Sequence, residues 1–520
     1  MTIQRTVSLR AVGIVTAAAL FFLAVVFSSR TSAPRTSLVH AQSSPGYCTD
    51  NMTASLNSTL PTNFGNGQQG ADCMAWQEFV SLNWRADPNH PGQPDTKATP
   101  DSFGTVDDPA PKVWETYMDS ATIFATPAQY KALTAQPNIK RLSAISKFAD
   151  ADLNLNNNTQ QAGSGKWLTS QSGNLTYYEV RLNNDEAAYI QTNSLTTFDG
   201  QKACATQPGQ NVSGQGLVGG FNLPSGIGNL KLRPNTDYNC AGAKQGGYGT
   251  NSGAIEVKAA WVVLPDNSLN YRYKTSKAQI TDPYGHTSTV TVGLVGMHII
   301  HKVPTGQQFI WATFEQVDNS PDENGGSYSA PTLPLPHPHL IPLPVGTYTY
   351  FNPNCQNDKY YNCVHNQIPG DACAISHRSI CDPYTAPMQV TRLNPVDRLA
   401  NSATGYAWSL LPPKSVYNYY RLINAMWPSS NTPISPGAKT PLPLGNIQPS
   451  GQVANTTLET YEQGGTTNCL SCHIKTPIAN SSTQSKVLVA GRPHREVKLD
   501  TTSSELGSDY SFVFAVNTTH

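Results

Sequence analysis

Near its C-terminus the chain brings two thiols and an imidazole together within five residues, Cys469-Leu470-Ser471-Cys472-His473. A Cys-x-x-Cys-His run is the pattern that attaches a c-type haem. On one turn of helix each sulfur can reach one vinyl group of the porphyrin and form a thioether. The imidazole that follows is then held beneath the ring, where its nitrogen ligates the iron from the proximal side. Competing uses of the same residues fit less well. A thioredoxin-like redox pair belongs in a βαβ pattern, and none surrounds this run. A zinc site needs further ligands at knuckle spacing, and the chain has no second Cys-x-x-Cys. The run therefore predicts one covalent haem c per chain, tethered by Cys469 and Cys472, with His473 as the proximal iron ligand.

The reactivity of such an iron depends on its other face. A methionine downstream of the motif is a common choice, but no methionine follows Met426. Four readings stay open. His298 shares one face with Val290, Val292, Leu294 and Ile300 if that segment is a regular strand, and an iron would satisfy it; a bond to a carbonyl is the more ordinary fate of a buried histidine. His301 falls on the opposite face. His494, close to Arg492, is the second candidate, and either side chain could instead meet a haem propionate. The upstream sulfurs of Met118, Met297, Met388 and Met426 are the third, each more naturally core filler. The fourth is an open position, able to take oxygen, peroxide or another small ligand.

Haem is attached outside the cytoplasm, and the N-terminus agrees with export. Arg5 and Arg10 precede an apolar run from Ala11 to Phe27, and Val39-His40-Ala41 resembles a cleavage site. Residues 1–41 thus read as a signal peptide or, because the gap before the cleavage site is long, an N-terminal anchor. Either places the remainder in the periplasm or on the extracytoplasmic face of the membrane. Eight cysteines lie outside the motif: Cys48, Cys73, Cys204, Cys240, Cys355, Cys363, Cys373 and Cys381. An even number in an exported chain suggests four disulfides whose pairing the sequence does not give. The last four fall in a segment with little periodic apolar sequence, which cross-links would have to hold.

Composition sets the expected scaffold. Lysine plus arginine equals aspartate plus glutamate, at 34 each, so nothing favours nucleic acid, and a membrane would be met only through the N-terminal segment. The expected partner is a redox protein. Glycine and proline contribute 39 residues each, which favours turns, long loops and β-structure. The fold class read from this is α+β, β-rich with peripheral helices and long Pro/Gly-rich loops, the haem motif near the C-terminus being embedded in the main body. The regions are 42–165, containing helices; 166–350, β-rich; 351–395, a Cys-rich loop; and 396–520, bearing the haem. Residues 42–520 could form one integrated domain.

Individual elements follow from periodicity. Trp76, Phe79, Val80 and Trp84 recur at helical spacing, with Asp72 as the cap of a helix running to Arg85, and a second helix covers Pro111 to about Ala121. Alternation predicts strands at Ile255–Val263, Thr287–Val303 and Gln308–Val317, with a turn at Pro304-Thr305-Gly306. Ser327–Thr347 is Pro-rich and extended, carrying His337 and His339. Val416, Tyr420, Ile423 and Trp427 suggest a helix over Pro413–Trp427, with a short helix around Asn455–Gln463 and a final strand from Tyr510 to Val516. The acidic run Asp318–Asn324 lacks EF-hand spacing and reads as a solvated turn.

The chain resembles a group of large exported bacterial proteins generally called cytochrome c family proteins. The resemblance rests on Trp76-x-x-Phe79-x-x-Leu82-Asn83-Trp84, Gly293-Leu294-Val295-Gly296-Met297-His298-Ile299-Ile300-His301-Lys302, Trp311-Ala312-Thr313-Phe314-Glu315, and Glu459-Thr460-Tyr461 leading into the haem motif. It implies a role only for Cys469, Cys472 and His473. The function expected is that of an exported monohaem c-type cytochrome passing single electrons. The alternative is a c-type haem enzyme of peroxidase or oxygenase kind, or a haem-based ligand sensor, with an open distal site.

Overall fold

Nine strands form a single curled sheet in a fold of mixed α and β content with few helices. The computed structural model describes residues 47–49, 52, 55–65, 67–125, 130–131, 140–143, 167–206, 212–213, 219–226, 240, 248–303, 306–334, 339, 348–356, 363–367, 384–428, 440–441, 447–448, 451–464, 468–473, 476, 478–479 and 506–516. The N-terminal apolar run lies outside them, and within them no helix is long and apolar enough to cross a membrane.

In chain order the sheet strands are β1 (Met118–Asp119), β2 (Lys140–Ser143), β3 (Thr176–Leu182), β4 (Ile255–Val263), β5 (Thr275–Thr281), β6 (Thr287–Val303), β7 (Gly306–Gln316), β8 (Tyr420–Pro428) and β9 (Ile447–Gln448). They pair in the order β1-β3-β4-β6-β7-β8-β9, with β5 on β6 and β2 on β5. Every pairing is antiparallel except β2 with β5. The long strand β6 is the spine. Its first half pairs with β5, its second half with β4, and β7 follows it through a tight reversal. The strands expected at Ile255–Val263 and Thr287–Val303 have those bounds.

Two helices, α1 (Gly67–Leu82) and α3 (Arg398–Leu410), cover one face of the sheet, with α2 (Asn184–Thr192) on the other side of it. Under α1 and α3 lies the larger core, in which Trp76, Phe79, Met297, Ile299 and Phe314 pack together with Ala400, Ala403 and Ala407. Small residues on α3 let it approach α1 closely. The opposite face carries two smaller cores. One holds Tyr189, Ile300, Trp311, Met426, Leu470 and Phe514; the other holds Tyr178, Val262, Val295, Tyr350 and Leu458.

A β-bulge decides which face several β6 side chains reach. Trp261 pairs with Leu294 and Ala260 with Gly296, so Val295 is an extra residue. One inserted residue reverses the alternation beyond it. Val292 and Leu294 therefore face α1 and α3, whereas His298 and Ile300 face the opposite side, and the single shared face expected for all of them is divided. His301 does lie on the other face from His298, against α1.

Six local expectations are corrected. The first helix begins at Gly67, and Asp72 lies buried inside it, accepting from Gln68 Nε2 at 2.9 Å and from Ala425 N–H at 3.2 Å. Every residue from Ala71 to Leu82 is buried, so no polar stripe marks where the helix starts. Val113–Thr116 is a short 3₁₀ turn followed by β1, in place of one continuous helix. Val416–Tyr419 is also 3₁₀ and leads into β8, not into a helix; a bulge at Ile423 breaks the strand's alternation and so imitates helical spacing. The final segment is not a strand. Asp509 and Tyr510 take positive φ (53° and 71°), and Val513–Val516 forms a helical turn. The expected helix at 455–463 is a series of turns ending in a 3₁₀ turn at Thr460–Glu462. Asp318 is buried against Arg272 (Oδ2 to Nε, 2.5 Å) instead of solvated.

Three disulfides join Cys48 to Cys73, Cys204 to Cys240 and Cys355 to Cys363. Cys373 and Cys381 lie outside the described residues, as does His337. Disulfides persist in oxidising compartments, which is consistent with an extracytoplasmic location.

Candidate functional site

The Cys-x-x-Cys-His run forms its own helix, α4 (Cys469–His473). Asn468 and Ser471 start it reciprocally. Ser471 N–H donates to Asn468 Oδ1 at 2.9 Å, and Asn468 N–H donates to Ser471 Oγ at 3.0 Å. One intervening residue of the motif is thus used as a cap and the other, Leu470, as an anchor: it is buried in the core that contains Ile300 and Trp311. Cys469 is half-buried against that core, and the side chain of Cys472 lies outside the described ones.

The helix ends at His473, whose carbonyl accepts from Thr476 N–H at 3.2 Å and Thr476 Oγ1 at 2.7 Å. Ser508 N–H donates to Thr476 O and Ile478 N–H to Leu506 O, which brings the C-terminal segment alongside. His473 Nδ1 then lies 2.6 Å from Tyr510 O. The ring stands edge-on to Trp311 (centroids 4.5 Å apart) and to Phe512 (4.7 Å). Burial pushes this imidazole down to about 4; His298 and Lys258 add to the effect, and the Tyr510 carbonyl opposes it. It is neutral at physiological pH, the form in which an imidazole nitrogen can ligate a metal.

Beside Trp311 the same sheet face turns polar. Lys258 on β4, His298 on β6 and Thr313 on β7 stand in register across three strands. The segment that leads to the motif lies over this row. Asn455 Nδ2 donates to Thr313 Oγ1 and to Phe314 O, both at 2.9 Å, and Thr456 N–H donates to Glu315 Oε1 at 2.5 Å. Gly296 makes the approach possible, because a Cβ there would run into Thr457 Oγ1 and the Asn455 side chain. Glu459 folds back to accept Asn455 N–H at 2.9 Å, and its Oε2 lies 3.3 Å from His298 Nε2. Burial alone would raise the Glu459 carboxyl, but His298, Lys258 and the Asn455 N–H outweigh it and hold the group below its ordinary value. His298 and His473 thus face one region from two elements, 175 residues apart in sequence.

The remaining sequence candidates separate. Met426 pairs across the ladder with Trp311 and lies in the core that receives Leu470. Met118 packs against the edge of that core, Met388 belongs to the other small core, and Met297 is on the opposite face under α1. His494 and Arg492 are outside the described residues. His301 is fully buried, with Nδ1 2.5 Å from Glu78 Oε1 and Nε2 2.9 Å from Ser252 O, so both ring nitrogens are occupied. Among the described residues no group of three or more His, Cys, Asp or Glu side chains is arranged to hold a metal ion. Sequence reasoning missed Lys258, Glu459, Trp311 and Tyr510 as neighbours of the motif. Glu459 lies ten residues before it, but no spacing rule ties such a carboxylate to a histidine on a distant strand.

No protein-family model, curated protein or solved structure matches this chain.

Proposed function

We propose that this chain is an exported monohaem c-type cytochrome, periplasmic or held at the extracytoplasmic face of the membrane, that exchanges single electrons with a redox partner protein. The observation that carries the reading is the Cys469-x-x-Cys472-His473 run together with the bond from His473 to Tyr510 O. A backbone carbonyl only accepts. His473 must therefore carry its proton on Nδ1 and its lone pair on Nε2, the tautomer and orientation that haem-ligating histidines are given by such partners. Leu470 fixes the motif helix to the sheet, and Trp311 and Phe512 restrict the rotation of the ring. The disulfides and the N-terminal sequence support export.

In this reading Cys469 and Cys472 would tether the porphyrin, and His473 would ligate its iron. The bound group would supply a one-electron Fe(III)/Fe(II) couple. The protein's part is to set the potential through burial, through the hydrogen bond to His473 and through whatever occupies the other axial position. The resemblance to large exported cytochrome c family proteins agrees with this assignment.

The test is expression of the full chain in cells able to mature c-type cytochromes. The expected product has the absorption spectrum of a c-type haem, and its mass exceeds that of the processed polypeptide by one covalently bound haem. Replacing Cys469 and Cys472 together with Ala should abolish both signals. Colourless wild-type protein of polypeptide mass would refute the reading. Rapid carbon monoxide binding by coloured protein would move the function to the alternative, an enzyme or sensor with an open distal site.

A further inference from the structure

His298 and Glu459 form a pair that the folded core does not require. His298 is mostly buried, with 12 % of its side chain exposed, and Glu459 comes from the loop ten residues before the motif. Their contact, 3.3 Å between Nε2 and Oε2, falls short of a formed hydrogen bond, and Nε2 has no other hydrogen-bond partner in the described structure. Nε2 points at Glu459, and a mostly buried imidazole held only by such a contact is the kind of polar group that calls for an explanation.

Its position supplies one. His298 pairs with Thr313 across the ladder, and Trp311, two residues along the same strand face, carries the His473 ring. On the proposed haem reading, which this inference requires, we infer that His298 is the second axial ligand of the iron and that Glu459 is its positioning residue. Glu459, which faces Nε2, would take that N–H of the neutral imidazole, which leaves the lone pair on Nδ1 and makes Nδ1 the stronger donor to the iron. Glu459 would then do for His298 what the Tyr510 carbonyl does for His473. Met426 is the rival donor near Trp311. It is buried in the apolar core around Trp311 and Leu470, where a thioether is ordinary core filler.

The experiment uses the full-length, haem-loaded protein and reads optical and electron paramagnetic resonance spectra in both oxidation states. Wild type should be six-coordinate and low-spin, without the far-red band of ferric haem–methionine ligation, and should not bind carbon monoxide. His298→Ala should become high-spin and bind carbon monoxide, and added imidazole should restore the low-spin spectrum. His298→Met guards against loss of folding, since it keeps a ligand and a similar volume; it should stay low-spin, gain the far-red band and show a higher midpoint potential. Glu459→Gln should remain low-spin with a raised potential, because a weaker hydrogen-bond acceptor makes the imidazole a poorer donor to ferric iron. A haem-loaded His298→Ala protein with an unchanged low-spin spectrum overturns the assignment while leaving the haem reading intact, and the same follows if Met426→Ala alone produces the high-spin form. Failure to load haem at all overturns both.

Discussion

His473 Nδ1 lies 2.6 Å from the carbonyl oxygen of Tyr510, and that carbonyl is held by a turn in which Asp509 and Tyr510 both adopt positive φ. Asp509 fixes the turn. Its carboxylate accepts Leu223 N–H at 2.8 Å and pairs with the buried Lys302. Asp509→Ala leaves Lys302 buried without its counter-charge, which should cost about 3–5 kcal/mol. It also frees the acceptor of His473. Denaturant titration should show the loss of stability, and redox titration of haem-loaded protein should show a raised potential. An unaltered potential would mean that the turn does not hold the imidazole.

Glu78 and His301 offer a control on the opposite sheet face. Both side chains are fully buried, and they meet at 2.5 Å. His301→Ala strands the carboxylate of Glu78, an expected loss of about 3–5 kcal/mol. Haem attachment and the axial spectrum should be unchanged, because the sheet separates this pair from His473. A spectral change as large as that of His298→Ala would contradict the division of faces at the Val295 bulge.

Gly296 links the fold to the candidate site. Ala at this position would press on Thr457 and Asn455, lift the loop from β6 and carry Glu459 away from His298. Overpacking of this kind costs about 1–3 kcal/mol. Gly296→Ala should therefore lower the denaturation midpoint and, in haem-loaded protein, shift the potential in the same direction as Glu459→Gln. A stability loss without any change in potential would separate the loop's structural role from its effect on His298.

Glu186 on α2 and Glu256 on β4 are buried and electrostatically coupled, with Asp509 and Lys302 also acting on them. Burial raises Glu256 from 4.5 to about 7, and burial together with the charge of Glu256 raises Glu186 well above its ordinary value. The folded protein then binds more protons than the unfolded chain at pH values between 4.5 and 7. The stability linked to this group is greatest below that interval and is lost as pH rises through it. Relative to wild type, Glu256→Gln should gain stability progressively as the pH is raised from about 5 to about 8. Denaturation midpoints of the two proteins that differ by the same amount at every pH would refute this.

Cys204 and Cys240 close a loop with a sequence separation of 36, and the bridge anchors the segment after α2 near Tyr189. Replacing both with Ser should lower stability by about 2–4 kcal/mol, measured by thermal or denaturant unfolding under oxidising conditions. No loss would show that the loop is already confined by its packing.

The sequence by itself determined what is local. Five consecutive residues carry the chemistry of attachment, because thioether formation needs two sulfurs and an imidazole at fixed short spacing. The long strands Ile255–Val263 and Thr287–Val303 were legible because β-branched and apolar residues alternate strongly there. Only the tertiary structure decided which side chains meet the motif. The extra residue at Val295 turns His298 towards it, the bulge at Ile423 makes a strand resemble a helix, and the reversed turn at Asp509 brings the Tyr510 carbonyl to His473. Each depends on one residue's pairing or φ angle, which adds no term to composition or periodicity. The relation of His298 to Glu459 depends on a loop laid across three strands, so it exists only once the sheet has formed.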